Sequence, residues 1–270
     1  MSAPSPSNSG AKPDSARAPN TGRLLLVPAP LDFGCGQQSA LQDAIPAGTL
    51  LAASRLQYWI CENAKTTRAY LKRVHVFQSL SVELQALHIQ ELPRAVHKKG
   101  DHHGEFDARP LLAPALSGHD IGLVSEAGMP AIADPGSSVV RAAHDLGLTV
   151  VPLVGPVSIL LGLAASGLNG QNFAFVGYLP QEPIARTRRV RELEVLCLKE
   201  GQTQLFIETP YRNVAMMQTL LQTLAPSTRL SVSSGLTLPT AHSFSATVAS
   251  WRNHGWGPDN STPAVFAIGR

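Results

Sequence analysis

Short apolar runs and segments of helical period alternate along residues 22–154. The runs "RLLLVPAP" (23–30), "YWICEN" (58–63), "IGLV" (121–124) and "LTVVPLV" (148–154) are compact and bounded by glycine, proline or polar turns, the pattern of strands buried on both faces. Between them the spacing predicts helices over 47–56, 65–74, 109–116, 137–146 and, after the last strand, 156–167. This alternation predicts a mostly parallel sheet with helices on its faces. The second half has another texture. "FAFVGYL" (173–179), "TQLFIETP" (203–210), "TRLSVSS" (228–234), "AHSFSATVASW" (241–251) and "TPAVFAIG" (262–269) are five strand candidates, with two helices between the first three and none between the last three. That predicts a mixed sheet. The expected architecture is therefore α/β: a tail over 1–21 too poor in apolar residues to fold, a mostly parallel domain over 22–154 and a mixed-sheet domain over 155–270. Ligands in such folds favour the cleft between domains and the carboxyl ends of parallel strands.

Composition narrows this little. Hydrophobic residues make up 44% of the 270 positions, and 22 basic against 19 acidic residues leave a net charge of +3, which permits an anionic partner without announcing one. Cys35, Cys61 and Cys197 are far apart and odd in number, so reduced thiols in the cytoplasm are expected instead of disulfides. Residues 148–168 carry no charge and match a membrane span in length, but Pro152, Gly155, Pro156 and Gly162 cut them into strand, turn and helix, so no membrane segment is expected. His97, His102 and His103 sit in the charged stretch "RAVHKKGDHHGEFD" (94–107), read as a solvated loop, and nothing near them completes a set of metal ligands. Gly34-x-Gly36 after the first strand lacks the third glycine and the following helix of a dinucleotide fingerprint.

Three stretches concentrate polar and turn-forming residues at strand ends. They are "SEAGMPAIADPG" (125–136), "ENAKTTR" (62–68) and "ETPYRN" (208–213). Taken singly, each is as well explained as a helix cap, since Ser, Asp and Asn cap naturally and acids suit a helix N-terminus. Their common position argues for one shared site, where glycine and proline present main chain to a ligand.

The same stretches, with "VVPLVGPVSILLGLAASGL" (150–168) and "FAFVGYLP" (173–180), resemble the tetrapyrrole methylase superfamily, and within it the branch of ribosomal RNA small subunit methyltransferase I. The resemblance implies S-adenosylmethionine (SAM) in a cleft between two α/β domains, an RNA substrate and a homodimer, with neither a metal nor a membrane. Carried over by position, it implies that Pro28, Ala29, Pro30, Ser125, Glu126, Ala127, Gly128, Pro130, Ile132, Ala133, Asp134, Ser158, Pro263 and Ala264 line the cofactor site. Glu62, Lys65 and Asp134 are candidates for catalysis, and Arg68, Glu208, Tyr211 and Arg212 for the substrate. Arg68, Lys72, Arg73, Arg186, Arg188, Arg189 and Arg191 are candidates for phosphate contacts, with a solvated helix face as the equal alternative. The chain departs from the branch at "LDFGCGQQ" (31–38) and at Glu62-Asn63-Ala64-Lys65, where the branch reads Glu-Asp-Thr-Arg, and "SSGLTL" (233–238) lacks a charged pair. Those departures point to a sister group. Methylation of a tetrapyrrole or other small molecule, and a catalytically degenerate binding protein, stay open as alternatives.

Overall fold

The computed structural model describes residues 21–99, 101 and 106–270. The tail expected over 1–21, apart from Thr21, lies outside them, as do His102, His103 and the side chain of His97.

The first half runs β1 (Arg23–Leu26), α1 (Leu41–Ala44), α2 (Ala47–Ser54), β2 (Tyr58–Cys61), α3 (Ala64–Phe77), β3 (His88–Glu91), α4 (Arg94–Lys99), α5 (Ala113–Leu116), β4 (Ile121–Val124), α6 (Ser137–Asp145) and β5 (Thr149–Pro152). Its five strands are all parallel, in the order β3-β2-β4-β1-β5. Every residue of β4 is buried, as the unbroken apolar run requires of a central strand covered on both faces. One face packs under α2 and α3, through Leu50, Ala53, Trp59, Leu71 and Val74. The other packs under α5 and α6, through Ala115, Val139 and Ala143.

Helix α3 shows how the sequence sets an element. Asn63 caps it, its Oδ1 accepting from the main-chain N–H groups of Lys65 at 2.9 Å and Thr66 at 3.3 Å. Thr67, Tyr70, Leu71 and Val74 then fall on one buried stripe at helical spacing, leaving the basic residues between them outside.

The second half continues through α7 (Ser158–Ser166), β6 (Phe173–Tyr178), α8 (Pro183–Glu200), β7 (Thr203–Glu208), α9 (Asn213–Thr223), β8 (Arg229–Ser234), β9 (His242–Thr247), α10 (Val248–Trp251) and β10 (Ala264–Gly269). The order β6-β7-β10-β8-β9 has β6 and β7 parallel and every other neighbour antiparallel, the mixed sheet expected. Helices α8 and α9 cover one face, through Val190, Leu193, Met216 and Leu220. Helix α7 covers the other, Ile159 and Leu163 meeting Leu205, Val265 and Ala267.

Three expectations fail locally. Residues 94–107 contain α4 and the buried Asp101, not only a solvated loop. Asp101 is placed there by a distant partner: its carboxylate accepts from the N–H groups of Gly136 and Ser138, both at 2.8 Å, and from the hydroxyls of Ser137 and Ser138, both at 2.6 Å. It thereby caps α6. Strand β3, absent from the strands that the sequence pattern predicts, is a sheet edge whose side chains stay largely exposed. The strand expected over 241–251 stops at Thr247, whose hydroxyl caps the short α10 and lets Trp251 turn into the core.

The uncharged run at 148–168 divides into β5, a turn and α7, and among the described residues no helix is long and apolar enough to cross a membrane.

Candidate functional site: two adjoining cavities

The carboxyl ends of β1 and β4 open into two loops, residues 27–40 and 125–136, which pair with each other. Ala29 N–H donates to the Gly128 carbonyl at 2.9 Å and Gly128 N–H returns a bond to Ala29 at 3.0 Å. Gly128 sits at φ +73°, a region that side chains resist, which is why glycine stands there. Its N–H and carbonyl are therefore both engaged by Ala29. Ala131 and Ala133 both lie at φ 65°, a strained conformation for alanine of the kind that clusters at ligand sites.

Beyond this pairing lies a cavity of about 380 Å3 between the two sheets. Ala127, Gly128, Ile132, Ala133 and Asp134 line it from the β4 loop, Ser158 from the start of α7, and Pro263 and Ala264 from the entry to β10. Glu208 lines it from the end of β7 and Tyr178 from the end of β6.

The walls carry negative charge. Burial, and then the nearby carboxylates of Glu62 and Glu126, push the Asp134 carboxyl up to about 7. Burial, then Asp134 and Glu208, raise the Tyr178 hydroxyl as well. Glu208 is buried and Oε1 is held by Arg212 at 2.7 Å and by the N–H of Thr209 at 2.8 Å, while Oε2 has no hydrogen-bond partner. Such a cavity suits a ligand that is in part cationic.

A second cavity, of about 210 Å3, adjoins the first where Phe33 and Gly34 line both. Ala29, Pro30, Ser125 and Glu126 line this one instead, facing Thr66, Ala69 and Arg73 of α3. Asp32 lies in its wall, 4% exposed, with both oxygens on Arg73 at 3.0 and 2.9 Å and one also accepting from Ser39 N–H at 3.1 Å. Ser39 in turn donates its hydroxyl to the Thr237 carbonyl at 2.6 Å, tying the first loop to the second half of the chain.

No family model matches the chain. Among curated proteins it is 39% identical over 124 residues to the ribosomal RNA small subunit methyltransferase I of Vibrio cholerae, covering 46% of this chain and 42% of that protein. It is 29% identical over 206 residues to the protein of the same name from Escherichia coli O157:H7, covering 76% of this chain and 62% of that protein. The matched part thus spans less than two thirds of these relatives. Among solved structures, the methyltransferase CobJ superposes with a TM-score of 0.55 at 15% identity, covering 93% of this chain and 95% of CobJ. The chain has the tetrapyrrole methylase fold.

Within this tetrapyrrole methylase fold the sequence-predicted residues separate. Eight of the fourteen expected cofactor residues line the larger cavity: Ala127, Gly128, Ile132, Ala133, Asp134, Ser158, Pro263 and Ala264. Four line the smaller one. Pro28 lines neither, its ring lying against Gly155 and its carbonyl accepting from Tyr70 at 3.2 Å. Pro130 faces a surface depression beside α6. Glu62 acts on the larger cavity through its charge on Asp134, whereas Lys65 and Arg68 are exposed on the first turns of α3 and line neither cavity. Glu208 and Arg212 hold each other, and Tyr211 stands exposed with the Arg212 guanidinium 5.3 Å from its ring centre.

Among the phosphate candidates, Arg186 and Arg73 need correction. Arg186 lies on the inward stripe of α8 and donates to Thr219 of α9 at 3.1 Å, Arg73 is engaged by Asp32, and Arg189 pairs with Glu192 at 3.2 Å. Sequence reasoning missed Tyr178 and Asp32. For Tyr178 a signal existed in Gly177, an odd residue inside a strand: at φ +72° it makes the β6–β7 register slip and turns the tyrosine toward the cavity. For Asp32 there was none, because its partner Arg73 is forty-one positions away.

Proposed function

We propose that the chain is a SAM-dependent methyltransferase acting on RNA, with chemistry of the ribosomal 2′-O-methylation kind. The observation that carries this reading is the larger cavity, of about 380 Å3 and walled by Asp134 and Glu208, in a chain homologous to proteins named ribosomal RNA small subunit methyltransferase I. SAM fits the donor set. Its sulfonium and ammonium are positive, and the cavity presents a buried carboxylate oxygen of Glu208 with no partner, together with Asp134. Ile132, Ala133, Pro263 and Ala264 add apolar surface of the kind that packs on a nucleoside base.

The cofactor supplies a methyl group on a positively charged sulfur. With the cofactor held there, the acceptor would have to give its proton to a base of the chain as it takes up the methyl group. Alignment provides most of the rate in such a transfer, and a cavity walled by both halves of the chain provides alignment. Asp134 is our candidate for the proton, because a carboxyl held near 7 is a far better base than an ordinary aspartate once it is ionised. A homodimer in the cytoplasm completes the reading, on the strength of the resemblance.

Calorimetric titration with S-adenosylhomocysteine, followed by transfer of a labelled methyl group to small ribosomal subunits lacking this modification, tests it. Binding and transfer are expected. Binding without transfer to any RNA would favour a degenerate binding protein, and absence of binding would refute the proposal.

A further inference from the structure

Ser125 and Glu126 immediately precede Ala127 and Gly128, yet they face a different cavity. Ser125 is 6% exposed and its Oγ has no hydrogen-bond partner. An unsatisfied buried hydroxyl costs about 1–3 kcal/mol, so this position favours a ligand atom that completes the bond. Glu126 receives one bond, from the Thr66 hydroxyl at 3.3 Å, and a carboxylate can accept several more. The cation in the wall is already neutralised, since Arg73 is committed to Asp32 and to the Ser39 carbonyl at 2.8 Å. A phosphate would therefore meet one half-buried acid and, among the described residues, no unpaired base in the lining.

The cavity instead suits a neutral, flat group with N–H donors. Its volume of about 210 Å3 equals roughly seven waters at about 30 Å3 each, enough for a single ring system and too little for a macrocycle of four pyrroles. Phe33, 45% exposed, offers an aromatic face at the junction of the two cavities.

We propose that the smaller cavity receives the base of the methyl acceptor, an unpaired RNA nucleobase turned out of its strand, with its N–H edge toward Glu126 and Ser125 and its face on Phe33. The assignment rests on the RNA methyltransferase reading above and goes beyond it in naming where the acceptor sits and in what form. Bases in single-stranded RNA are recognised by stacking on aromatic side chains and by hydrogen bonds to their edges. With the base seated here, its ribose lies at the Phe33–Gly34 junction, beside the larger cavity.

The test compares wild type with Glu126→Gln, which removes charge at constant shape, and Ala69→Leu, which narrows the mouth from the exposed side of α3 without disturbing the helix. Anisotropy of a labelled single-stranded fragment of small-subunit ribosomal RNA, free or annealed to its complement, measures acceptor binding; calorimetry with S-adenosylhomocysteine measures the larger cavity. Both variants are expected to weaken single-strand binding about tenfold, the worth of one good base contact, and wild type to prefer the single strand over the duplex by at least as much. Affinity for S-adenosylhomocysteine should stay within about twofold in Ala69→Leu, whose side chain lines only the smaller cavity. Unchanged RNA affinity in both variants, or parallel loss of both ligands in Ala69→Leu, overturns the proposal. A wild-type protein that binds RNA in this variant-sensitive way but no S-adenosylhomocysteine would keep the base pocket and refute the methyltransferase reading instead.

Discussion

Replacing Asp134 by Asn should make the protein more stable, by an amount that grows as the pH rises above about 4. An unfolded aspartate titrates near 3.8, whereas burial and the charges of Glu62 and Glu126 hold the folded group near about 7. The native state therefore keeps a proton that the unfolded chain releases as the pH rises from about 4 to about 7. Across that window the native state binds more protons, so stability falls with rising pH and levels off above about 8. The difference of roughly three units, at about 1.4 kcal/mol each, sets a ceiling of about 4 kcal/mol. Partial access of water to the side chain trims this to about 2–4 kcal/mol. Asn removes the titration while keeping the shape, so the variant should lie within about 1 kcal/mol of wild type at pH 4.5 and exceed it by that larger amount at pH 8. Urea unfolding at the two pH values measures both differences. If the gap between variant and wild type changes by less than about 0.5 kcal/mol, burial and the acidic cluster do not hold Asp134 protonated.

The same carboxyl should tune ligand preference: affinity for SAM relative to S-adenosylhomocysteine, which lacks the sulfonium charge, should rise as pH passes upward through about 7 in wild type and stay flat in Asp134→Asn by calorimetry. Gly128→Val should lower the melting temperature and abolish binding of S-adenosylhomocysteine, since the new side chain meets Leu31 at 3.1 Å at φ +73° and loosens the pairing with Ala29. Arg73→Met should cost about 3–5 kcal/mol in denaturant unfolding by leaving Asp32 buried without its counter-charge, more than Arg68→Met, which breaks no ion pair. Asn63→Ala should cost about 1 kcal/mol through loss of the α3 cap, with Asn63→Ser recovering most of it.

Much of this architecture was readable in the sequence because the strands of the first sheet are apolar on both faces. β1, β2, β4 and β5 announce themselves in this way, whereas β3 reads "HIQE" and, as an edge, has little to bury. Gathering of the three polar stretches was also legible: Tyr178 feels the charges of Asp134, Glu208 and Glu62, one from each. Division of the site into two cavities was not, since it depends on a main-chain pairing between Ala29 and Gly128 that no side-chain pattern records. Likewise the α6 cap comes from Asp101, inside a charge-rich run that reads as solvated loop. Buried arginine on α8 misled for a related reason: spacing placed Arg186 on the same stripe as Val190, Leu193 and Cys197, and the abundance of neighbouring arginines hid it.

The hydrogen bond from Ser39 to Thr237 has an evolutionary side. The hydroxyl belongs to the first half of the chain, but what it grips in the second is a carbonyl, which every residue possesses. Substitutions on the far side of this latch therefore leave its chemistry unchanged so long as the backbone follows the same path. The connection asks a hydroxyl of position 39, and of position 237 only a residue whose backbone tolerates φ 71°.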